Sequence, residues 1–506
     1  MKKKILINQE LWQTRIAITH EDRLQNIYLA EESRQSLERV FIKGIVTKVL
    51  PGIQTAFVEI GQERAGFLHI SEVDHELALQ RMQETTQMDD EGPESEPQKP
   101  IRKSQKNIKD ILKEGEHILV QVSKEPIYEK GAKLTTCFTL PGRFIVLMPN
   151  IARIGISKKI EEREERQRLR DIIKQHLPKG MGAIIRTTSE HREAQHLISD
   201  ITYLANLWHS IQKKYQTAKA QEILHEDIEL PLQIIRDNLD DDVSVVLCDD
   251  KQQQQSIYRF VQKIAPEFTQ LVKLYSGKKN IFEHYGIEQK IKAALDKRVQ
   301  LHSGGSIIIE STEAMTVIDV NTGRFIGKSN LEETILKTNL EAAREIVFQL
   351  RLRGIGGLIV IDFIDMAILS NRQLLFNTFE RMLKEHDKFQ SVVLKVSEFG
   401  LVQMTRKRTG KTLLQQLTND CSQCHGTGFI TSVKTEAYTI LRAIKQEYSE
   451  HPPSKNIRLL VNPTIFDYLT SKEYDALLML EKLFGIKIQL VTMPEFHMNQ
   501  YKLEKM

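Results

Sequence analysis

Two short apolar segments, each containing or ending in an aspartate, constrain the fold of this chain most. Residues 315–323 (MTVIDVNTG) alternate with period 2, which places Asp319 and Asn321 on the same face of a predicted strand. Residues 357–362 (GLIVID) form a continuous apolar run that stops at Asp362, a pattern typical of a parallel strand buried on both faces. Both segments therefore predict strands that carry acids at their carboxyl ends.

A long amphipathic helix is predicted between these two strands. Residues 329–332 (SNLE) form a capping-box pattern, and Gly354 is predicted to end the helix. The apolar positions with helical spacing are Leu331, Ile335, Ala342, Ile346 and Leu350. A strand-helix-strand crossover joins parallel strands, whose carboxyl ends lie at one edge of the sheet. We therefore expect Asp319 and Asp362 to converge at that edge, where ligands of open α/β sheets bind.

Two carboxylates beside an amide form a hard, oxygen-rich site that suits Mg²⁺ better than zinc or copper. Such an ion neutralises phosphate charge and activates bound water. The alternative is that Asp319 and Asp362 only cap helices or face solvent. Asp365 follows Asp362 by three residues, so alternation does not place it on the same face. We predict that Asp365 is a turn or cap residue. The alternative is a supporting role at the metal site.

Length and composition describe an ordinary cytoplasmic protein of several domains. At 506 residues the chain exceeds the ~250–300 residues at which single cores stop growing. Its net charge of +4 is small, so binding of nucleic acid would depend on local patches. No apolar run approaches the ~20 residues that span a bilayer. Four cysteines in a chain of this length argue against a disulfide framework.

The first third of the chain predicts a small β-barrel. Strand-like segments punctuated by Gly and Pro occupy residues 41–70, and the pattern resumes at residues 115–122. The acidic, Pro-rich stretch at residues 88–100 is predicted to be a disordered insertion. The barrel resembles the S1-type OB-fold that binds single-stranded RNA.

In that barrel Phe57 and Phe67 would offer stacking faces to bases, with Lys43 and Lys130 as cations for the RNA backbone. The alternative is that both Phe side chains fill the barrel core.

Two further patches carry candidate phosphate contacts. Arg186 and Thr187, at the end of a predicted strand, could hold a terminal phosphate through a guanidinium fork and a hydroxyl, although an ordinary surface arginine gives the same signal. Residues 401–411 concentrate cations and fit either phosphate contact or a solvated charge run.

Cys421 and Cys424 form a Cys-x-x-Cys motif, which is half of a four-thiolate zinc site. Cys137 and Cys248 stand in no comparable motif, so no partner pair within the chain is evident. The motif is either a redox dithiol, two unpaired buried cysteines, or half of a zinc site shared by two chains. The following Gly-Thr-Gly predicts a turn, and we favour the shared zinc site.

The order of these pieces resembles the RNase E/G family of bacterial endoribonucleases. The resemblance covers essentially the whole chain and is highly specific between residues 313 and 366. Further matching stretches are residues 312–316 (TEAMT), 349–353 (QLRLR), 404–409 (MTRKRT) and 424–426 (CHG).

The resemblance implies an α/β multidomain architecture in which an RNase H-like fold is interrupted by the S1-type domain. The implied domains are a first RNase H-like segment (1–36), an S1-type RNA-binding domain (37–136, with a disordered insertion at about 84–106), a 5′-sensor region (137–231), a second RNase H-like segment (232–294), a DNase I-like catalytic subdomain (295–417), a zinc link (418–431) and a small α/β dimerisation domain (432–506).

The resemblance also implies an Mg²⁺-dependent endoribonuclease that cuts single-stranded RNA in rRNA maturation and mRNA decay, favours 5′-monophosphorylated substrates and leaves 5′-phosphate and 3′-hydroxyl ends. It implies a homodimer joined by zinc, and an association of dimers into tetramers is open. The matching positions are Asp319 and Asp362 for Mg²⁺, Asn321 for the scissile phosphate, Phe57, Phe67 and Lys130 for RNA, Gly142, Val146, Arg186 and Thr187 for the 5′-monophosphate, and Cys421 and Cys424 for zinc.

Two positions depart from the family pattern. Lys158 and Gln390 stand where ribonuclease E has sensor arginines, and an Arg-to-Lys exchange loses the bidentate fork. The strength of 5′-phosphate sensing is therefore left open.

Two rival functions come from other classes. The chain could be an RNA-binding protein without catalysis, in which the S1-type domain does the work, or an Mg²⁺-dependent phosphodiesterase acting on DNA. Incubation with labelled RNA and Mg²⁺ separates the first rival, and matched RNA and DNA oligonucleotides separate the second, because 2′-hydroxyl contacts distinguish the substrates.

The shared site predicts a stoichiometry of one zinc ion per two chains, because each Cys421–Cys424 pair supplies half of the thiolates. Elemental analysis of the purified dimer measures this ratio. One zinc per chain, or an intact dimer without zinc, would contradict it.

Overall fold

The computed structural model describes residues 2–31, 37–73, 88–89, 107–126, 131–322, 331–387, 389–397, 399–408, 410–424, 426–450 and 456–505. The chain divides into two compact units, Met1–Leu413 and Leu414–Met506. Among the described residues, no helix is both long enough and apolar enough to cross a lipid bilayer.

The first sheet begins with three antiparallel strands, β1 (Lys3–Gln9), β2 (Gln13–His20) and β3 (Arg23–Glu31). Their apolar side chains pair across the ladder, as Ile5 does with Ile18 and Ile7 with Ile16. All four are buried, and burying such a side chain stabilises the fold by about 1.5–3 kcal/mol. The three strands therefore pack through their apolar side chains, and later segments complete their sheet.

A closed barrel follows. Its elements are β4 (Phe41–Leu50), β5 (Thr55–Glu59), β6 (Gly66–His69), α1 (Ile108–Ile111), β8 (His117–Lys124) and β9 (Lys133–Thr135), with β7 (Met88–Asp89) lying between β6 and α1 in sequence. The strand order β4-β5-β6-β9-β8 closes through pairing of β8 with β4, so the five strands have no free edge. The predicted small barrel is thus observed and is consistent with an S1-like domain.

Of the insertion predicted to be disordered, only β7 lies within the described residues. Its backbone pairs with β12 (Ile154–Ser157), with Met88 opposite Ser157 and Asp89 opposite Ile156. These two residues differ from the prediction because an edge strand offers them hydrogen-bond partners, which composition alone does not show.

A second sheet and two helices come next. Their elements are β10 (Leu140–Pro141), β11 (Ile145–Met148), β12, α2 (Arg163–His176), β13 (Gly182–Ile185) and α3 (Ala194–Thr217), and β14 (Ile223–His225) then returns to pair with β4 of the barrel. The sheet order is β10-β11-β13-β12-β7. Helix α3 buries Leu197, Ile201, Leu204 and Trp208, spaced three or four residues apart, on this sheet.

The chain then returns to the first sheet. The elements are α4 (Leu230–Asn238), β15 (Val243–Cys248), α5 (Lys251–Ile264), β16 (Val272–Leu274), α6 (Ile281–His284) and α7 (Ile287–Leu295). Strand β15 runs parallel to β1, with Val246 opposite Ile5, and the order becomes β16-β15-β1-β2-β3. One sheet is therefore built from two distant segments of the chain, with the barrel and the second sheet inserted between them.

A third sheet carries the two aspartate-bearing segments. Its elements are β17 (Arg298–Gln300), β18 (Ser306–Ser311), β19 (Met315–Asn321), α8 (Leu331–Leu352), β20 (Gly357–Asp362), α9 (Leu369–His386), β21 (Ser391–Val393), β22 (Leu401–Arg406) and α10 (Leu413–Leu417). The order is β17-β18-β19-β20-β22-β21, and β19 with β20 is the parallel pair. Helices α8 and α9 pack on one face of this sheet.

Gly354 stops helix α8 as predicted: it lies two residues past the last helical residue, Leu352, and adopts a φ of +65°. The Gly354 N–H donates to the Arg351 carbonyl, and the Ile355 N–H donates to the Leu350 carbonyl, which is the Schellman pattern. Ile355 and Leu350 also share the apolar core. The predicted capping-box residues Ser329 and Asn330 lie outside the described residues.

The second unit is a small α/β layer. Its elements are α11 (Val433–Glu450), β23 (Asn456–Val461), α12 (Pro463–Ser471), α13 (Tyr474–Phe484), β24 (Lys487–Thr492) and β25 (Tyr501–Lys505). The sheet order is β24-β23-β25, with β23 and β24 parallel. All three helices contribute buried apolar side chains to one core with β23.

A buried ion pair joins the end of α9 to β22. The Arg406 guanidinium donates to both carboxylate oxygens of Asp387, at 2.6 and 3.0 Å, and the two side chains are 0% and 1% exposed. The Asp387 carbonyl also accepts from Lys159 Nζ at 2.6 Å. This junction therefore ties the second sheet region to the third sheet.

Replacing Asp387 by Ala is expected to lower the free energy of unfolding by about 3–5 kcal/mol, because it leaves the Arg406 charge buried without a partner. Equilibrium urea unfolding measures the loss. Glu310→Ala, which removes the exposed Lys297–Glu310 pair, is the control and should cost under about 1 kcal/mol. Equal effects of the two substitutions would contradict this account.

Candidate active site

The structure brings the two strand-end aspartates together. Asp319 and Asp362 are direct neighbours in the parallel ladder of β19 and β20, at its last paired position. Adjacent strands lie about 4.8 Å apart, and residues in register project to the same face. The Asn321 amide donates to Asp319 Oδ2 at 2.8 Å. The predicted convergence at one sheet edge is therefore observed, whereas the role of these residues as ligands stays a prediction.

The electrostatics of this edge favour a cation. Partial burial raises the pKa of Asp362, and the neighbouring carboxylates of Asp319 and Asp365 raise it further. A divalent ion between these groups would relieve the repulsion, and the two carboxylates fit the hard oxygen ligands that Mg²⁺ prefers. Among the described residues, this edge included, no group of three or more His, Cys, Asp or Glu side chains is placed to hold a metal ion, so the site would depend on two carboxylates and the Asn321 amide.

The expectation that β20 is buried on both faces is wrong. Leu358 is 42% exposed and Asp362 is exposed, whereas Ile359 and Ile361 are fully buried. The reason is that α8 and α9 both pack on the same side of the sheet, so the other side lies open. That open face carries the row formed by Ile308, Asp319, Asp362 and Leu401 across four strands.

After β20 the chain turns instead of continuing as a strand, and the Asp365 carboxylate lies near enough to Asp362 to raise the pKa of that carboxyl. Gly400, just before β22, packs against this turn. It has a φ of +74°, and a Cβ there would lie 2.6 Å from the Phe363 carbonyl oxygen and 3.0 Å from Asp365 Oδ1. The turn before β22 therefore packs directly on the loop that follows Asp362.

The barrel places its two phenylalanines side by side. Phe57 and Phe67 are directly paired across β5 and β6, and both are partly exposed. The barrel core is formed by their strand neighbours Ala56, Val58 and Leu68. The alternative in which both rings fill the core therefore does not describe this barrel.

One of the two predicted cations, Lys43, makes a structural contact, and the other stays a prediction. Lys43 Nζ donates to the carbonyls of Tyr215 and Ala218 at 3.0 and 2.9 Å, which ties the barrel to α3 instead of facing RNA. Lys130 lies outside the described residues. By register, Lys48 pairs with Phe57 and Lys133 pairs with Phe67. Sequence reasoning missed these two lysines because the register of β4 and β9 was not apparent.

The predicted 5′-phosphate residues also lie together. Arg186 Nη1 donates to the Gly142 carbonyl at 2.6 Å and to Asp237 Oδ1 at 2.7 Å. Thr187 is exposed just after Arg186, and Val146 is partly exposed on β11, next to β13, which ends at Ile185. The Arg186 guanidinium is thus already oriented by an acid.

Two acids that sequence reasoning missed organise this region. Asp200 accepts the backbone N–H groups of residues 143–145, and a Cβ at Gly142 would lie 2.4 Å from its Oδ2. Burial raises the pKa of Asp200 despite those hydrogen bonds. For Asp237 burial acts in the same direction, but the charges of Arg186 and Arg236 outweigh it and lower the pKa. A signal for Asp200 was available, since it lies within the apolar stripe of α3.

The two departures from the family pattern, Lys158 and Gln390, lie beside strands of the second and the third sheet respectively. Strand β12 runs parallel to β13 with Ile156 opposite Ile185, so Lys158 and Arg186 follow at the same end of the second sheet. Gln390 immediately precedes β21, and its carbonyl accepts the Lys407 N–H at 2.9 Å. The basic run after β22 is also fixed by close packing, since a Cβ at Gly357 would lie 2.7 Å from Arg408 Nε.

Cys421 and Cys424 lie in a turn of the second unit, exposed and partly exposed respectively. The backbone N–H groups of Cys424 and Gln423 lower the pKa of Cys421, and the Cys424 side chain adds to this. A thiolate stabilised in this way suits zinc or redox chemistry. By contrast, Cys137 and Cys248 are buried in the first unit, and burial raises the pKa of Cys248 to about 12.

A carboxylate pair on the open face of a helix-backed sheet, together with a closed five-stranded barrel, defines a multidomain α/β protein built around an acidic site. Comparison with known proteins identifies the family. Residues 139–409 match the model of the Ribonuclease E/G family, and residues 420–506 match the model "RNase E/G, Thioredoxin-like domain". The chain belongs to the Ribonuclease E/G family.

Similar proteins within this family include ribonucleases G and E. Ribonuclease G of Salmonella typhimurium is 34% identical over 506 residues, which is all of both chains, and that of Haemophilus influenzae is 37% identical over 98% of each. Ribonuclease E of Haemophilus influenzae is 34% identical over 96% of this chain but only 50% of its own length. Full-length similarity to ribonuclease G agrees with the motifs that the sequence shares with the family.

Proposed function

We propose that this chain is an Mg²⁺-dependent endoribonuclease that hydrolyses single-stranded RNA and leaves 5′-phosphate and 3′-hydroxyl ends. The observation that carries the proposal is the direct pairing of Asp319 with Asp362 on an open sheet face, in a chain of the Ribonuclease E/G family. The open face admits a polynucleotide, which a strand covered on both sides would exclude.

Asp319 and Asp362 would hold the ion. When bound, Mg²⁺ supplies charge neutralisation at the scissile phosphate and an activated water for in-line hydrolysis. Asn321, hydrogen-bonded to Asp319 at 2.8 Å, is fixed beside the carboxylates and would orient the scissile phosphate. These three residues therefore divide into two ligands and one positioning amide.

The barrel would bind the RNA strand. Phe57 and Phe67 offer paired aromatic faces, and stacking on such faces contributes about 1–3 kcal/mol per base. Lys48 and Lys133 flank them by register, although Lys133 also pairs with Glu72. We also propose that Lys130 contacts RNA, on the basis of the family resemblance alone.

Gly142, Val146, Arg186 and Thr187 would form the pocket for a 5′-monophosphate. The support is that Arg186 is held against Gly142 and lies next to the exposed Thr187 hydroxyl. The Asp237 carboxylate competes with a phosphate for this guanidinium. We therefore propose a preference for 5′-monophosphorylated RNA whose size depends on how far Asp237 is displaced.

We further propose a homodimer joined by one zinc ion on Cys421 and Cys424 of each chain, with the small C-terminal domain as a dimerisation element. The exposed turn and the lowered pKa of Cys421 support metal binding there. We also propose that the first unit is subdivided into the RNase H-like, S1-type, 5′-sensor and DNase I-like regions that the family resemblance implies. Cytoplasmic rRNA precursors and mRNA are the proposed substrates.

The decisive variant is Asp319→Asn, which removes one metal-ligating charge while keeping the side-chain shape. Cleavage of a 5′-monophosphorylated RNA should fall by at least about 10³-fold, whereas RNA binding measured by filter retention should stay within about threefold. Cleavage rates of matched 5′-triphosphate and 5′-hydroxyl RNAs measure the preference for a 5′-monophosphate. Cleavage of a matched DNA oligonucleotide tests the rival function, a phosphodiesterase acting on DNA. Near wild-type cleavage by the variant would exclude the assigned site.

The barrel makes a second prediction. Lys48→Ala should weaken binding of a single-stranded oligonucleotide and reduce the salt dependence of its affinity by about 0.7, the value for one phosphate contact on a single strand. Binding is measured by fluorescence anisotropy at several salt concentrations. Lys109→Ala, on the barrel helix α1, is the charge-matched control, and an unchanged salt slope for Lys48→Ala would contradict the assignment.

A further inference from the structure

The six residues after Asp362, residues 363–368, form a loop that joins β20 to α9 and carries Asp365. We refer to residues 363–368 as the Asp362 loop. It begins directly after Asp362, at the sheet edge where Asp319 and Asp362 meet. The position of this loop therefore sets the geometry on one side of the acidic site.

A buried amide on α8 holds the start of the loop. Asn339 is 0% exposed, its Nδ2 donates to the Ile364 carbonyl at 2.8 Å, and its Oδ1 accepts the Ile364 N–H at 3.1 Å. A neighbouring strand makes the same two-bond contact with a backbone. Because a buried amide is costly unless its hydrogen bonds are made, this pairing fixes the loop to one place.

A carboxylate on the same helix holds the end of the loop. Glu332 accepts the Ile368 N–H at 3.1 Å and the Ala367 N–H at 3.4 Å, and it also accepts the Asn371 amide at 3.2 Å. These N–H groups precede α9, where a helix start leaves donors without partners. The Ile368 N–H is the main cause of a lowered pKa for Glu332.

These contacts lie two, five and six residues after Asp362, and Asp365 lies between the first and the other two. Neither Asn339 nor Glu332 belongs to the Asp319–Asp362 pair, and both act on backbone groups of the loop. Gly400 also packs against Phe363 and Asp365 so closely that a side chain there would collide. The loop is thus held by two side chains of α8 and contacted by the turn before β22.

We propose that Asn339 and Glu332 are positioning residues that hold the Asp362 loop so that Asp362 and Asp365 keep a fixed spacing to Asp319, and that they thereby set the affinity of the site for a divalent cation. This inference rests on the proposed function for its cleavage readout. Groups that orient metal ligands change metal affinity or activity by about 10–100-fold when they are removed.

The experiment compares Glu332→Ala and Asn339→Ala with the wild-type protein. Both variants should raise the Mg²⁺ concentration for half-maximal RNA cleavage about tenfold and lower kcat at limiting Mg²⁺ by a similar factor. The KM for RNA should stay within about twofold, because neither side chain is among the residues proposed to bind RNA. Glu332→Gln, which keeps one acceptor oxygen, should recover some of the loss.

Glu333→Ala is the matched control. Glu333 is the next residue on α8, it is exposed, and its removal changes the net charge and the helix terminus in the same way. It should behave as wild type in all three quantities. Asn339 is buried, so Asn339→Ala can lose its fold, and the more peripheral Glu332→Ala keeps the test decisive in that case.

A readout without RNA separates this inference from the proposed function. Binding of Mn²⁺ alone, followed by electron paramagnetic resonance, should weaken about tenfold in Glu332→Ala and be lost in Asp319→Asn. If wild type binds Mn²⁺ but does not cut RNA, the proposed function fails while this test still applies. Mn²⁺ affinity and Mg²⁺ dependence equal to those of Glu333→Ala, or a change in KM alone, would overturn the positioning role.

Discussion

The parallel pairing of β19 with β20 is the constraint on which the candidate site depends. Parallel neighbours need a crossover, and here the crossover is α8, which must pack on one face of the sheet. With α9 on the same face, the other face is left open. The pairing therefore sets Asp319 beside Asp362 and, with the helices on one face, leaves Asp319 partly exposed and Asp362 exposed.

Satisfied buried polar groups fix the surroundings of that edge. Asn339 replaces a strand partner for the backbone of Ile364, and the Arg406–Asp387 pair anchors β22 to the end of α9. In the second sheet, the Asp200 carboxylate accepts three backbone N–H groups and fixes the chain at residues 143–145. In each case the hydrogen bonds of a polar side chain are made in only one arrangement, which fixes the backbone segment that it contacts.

The two units divide the proposed tasks. The first unit holds the acid pair, the paired phenylalanines of the barrel and Arg186, so all proposed RNA contacts belong to one compact body. The second unit holds the Cys421–Cys424 turn and a small α/β layer with an apolar core of its own. Each unit contains a match to a Ribonuclease E/G family model, at residues 139–409 and 420–506.

The sequence by itself determined the elements whose signal is local. Period-2 alternation and apolar runs identified β19 and β20, helical spacing identified α8, and Gly354 marked its end. The Asp319–Asp362 neighbourhood followed from the topology of parallel strands. Only the tertiary structure decided which face of β20 is covered, which lysines flank Phe57 and Phe67, and where the Asp362 loop is held. Those features depend on register and packing between residues far apart in sequence, and a local pattern carries no information about either.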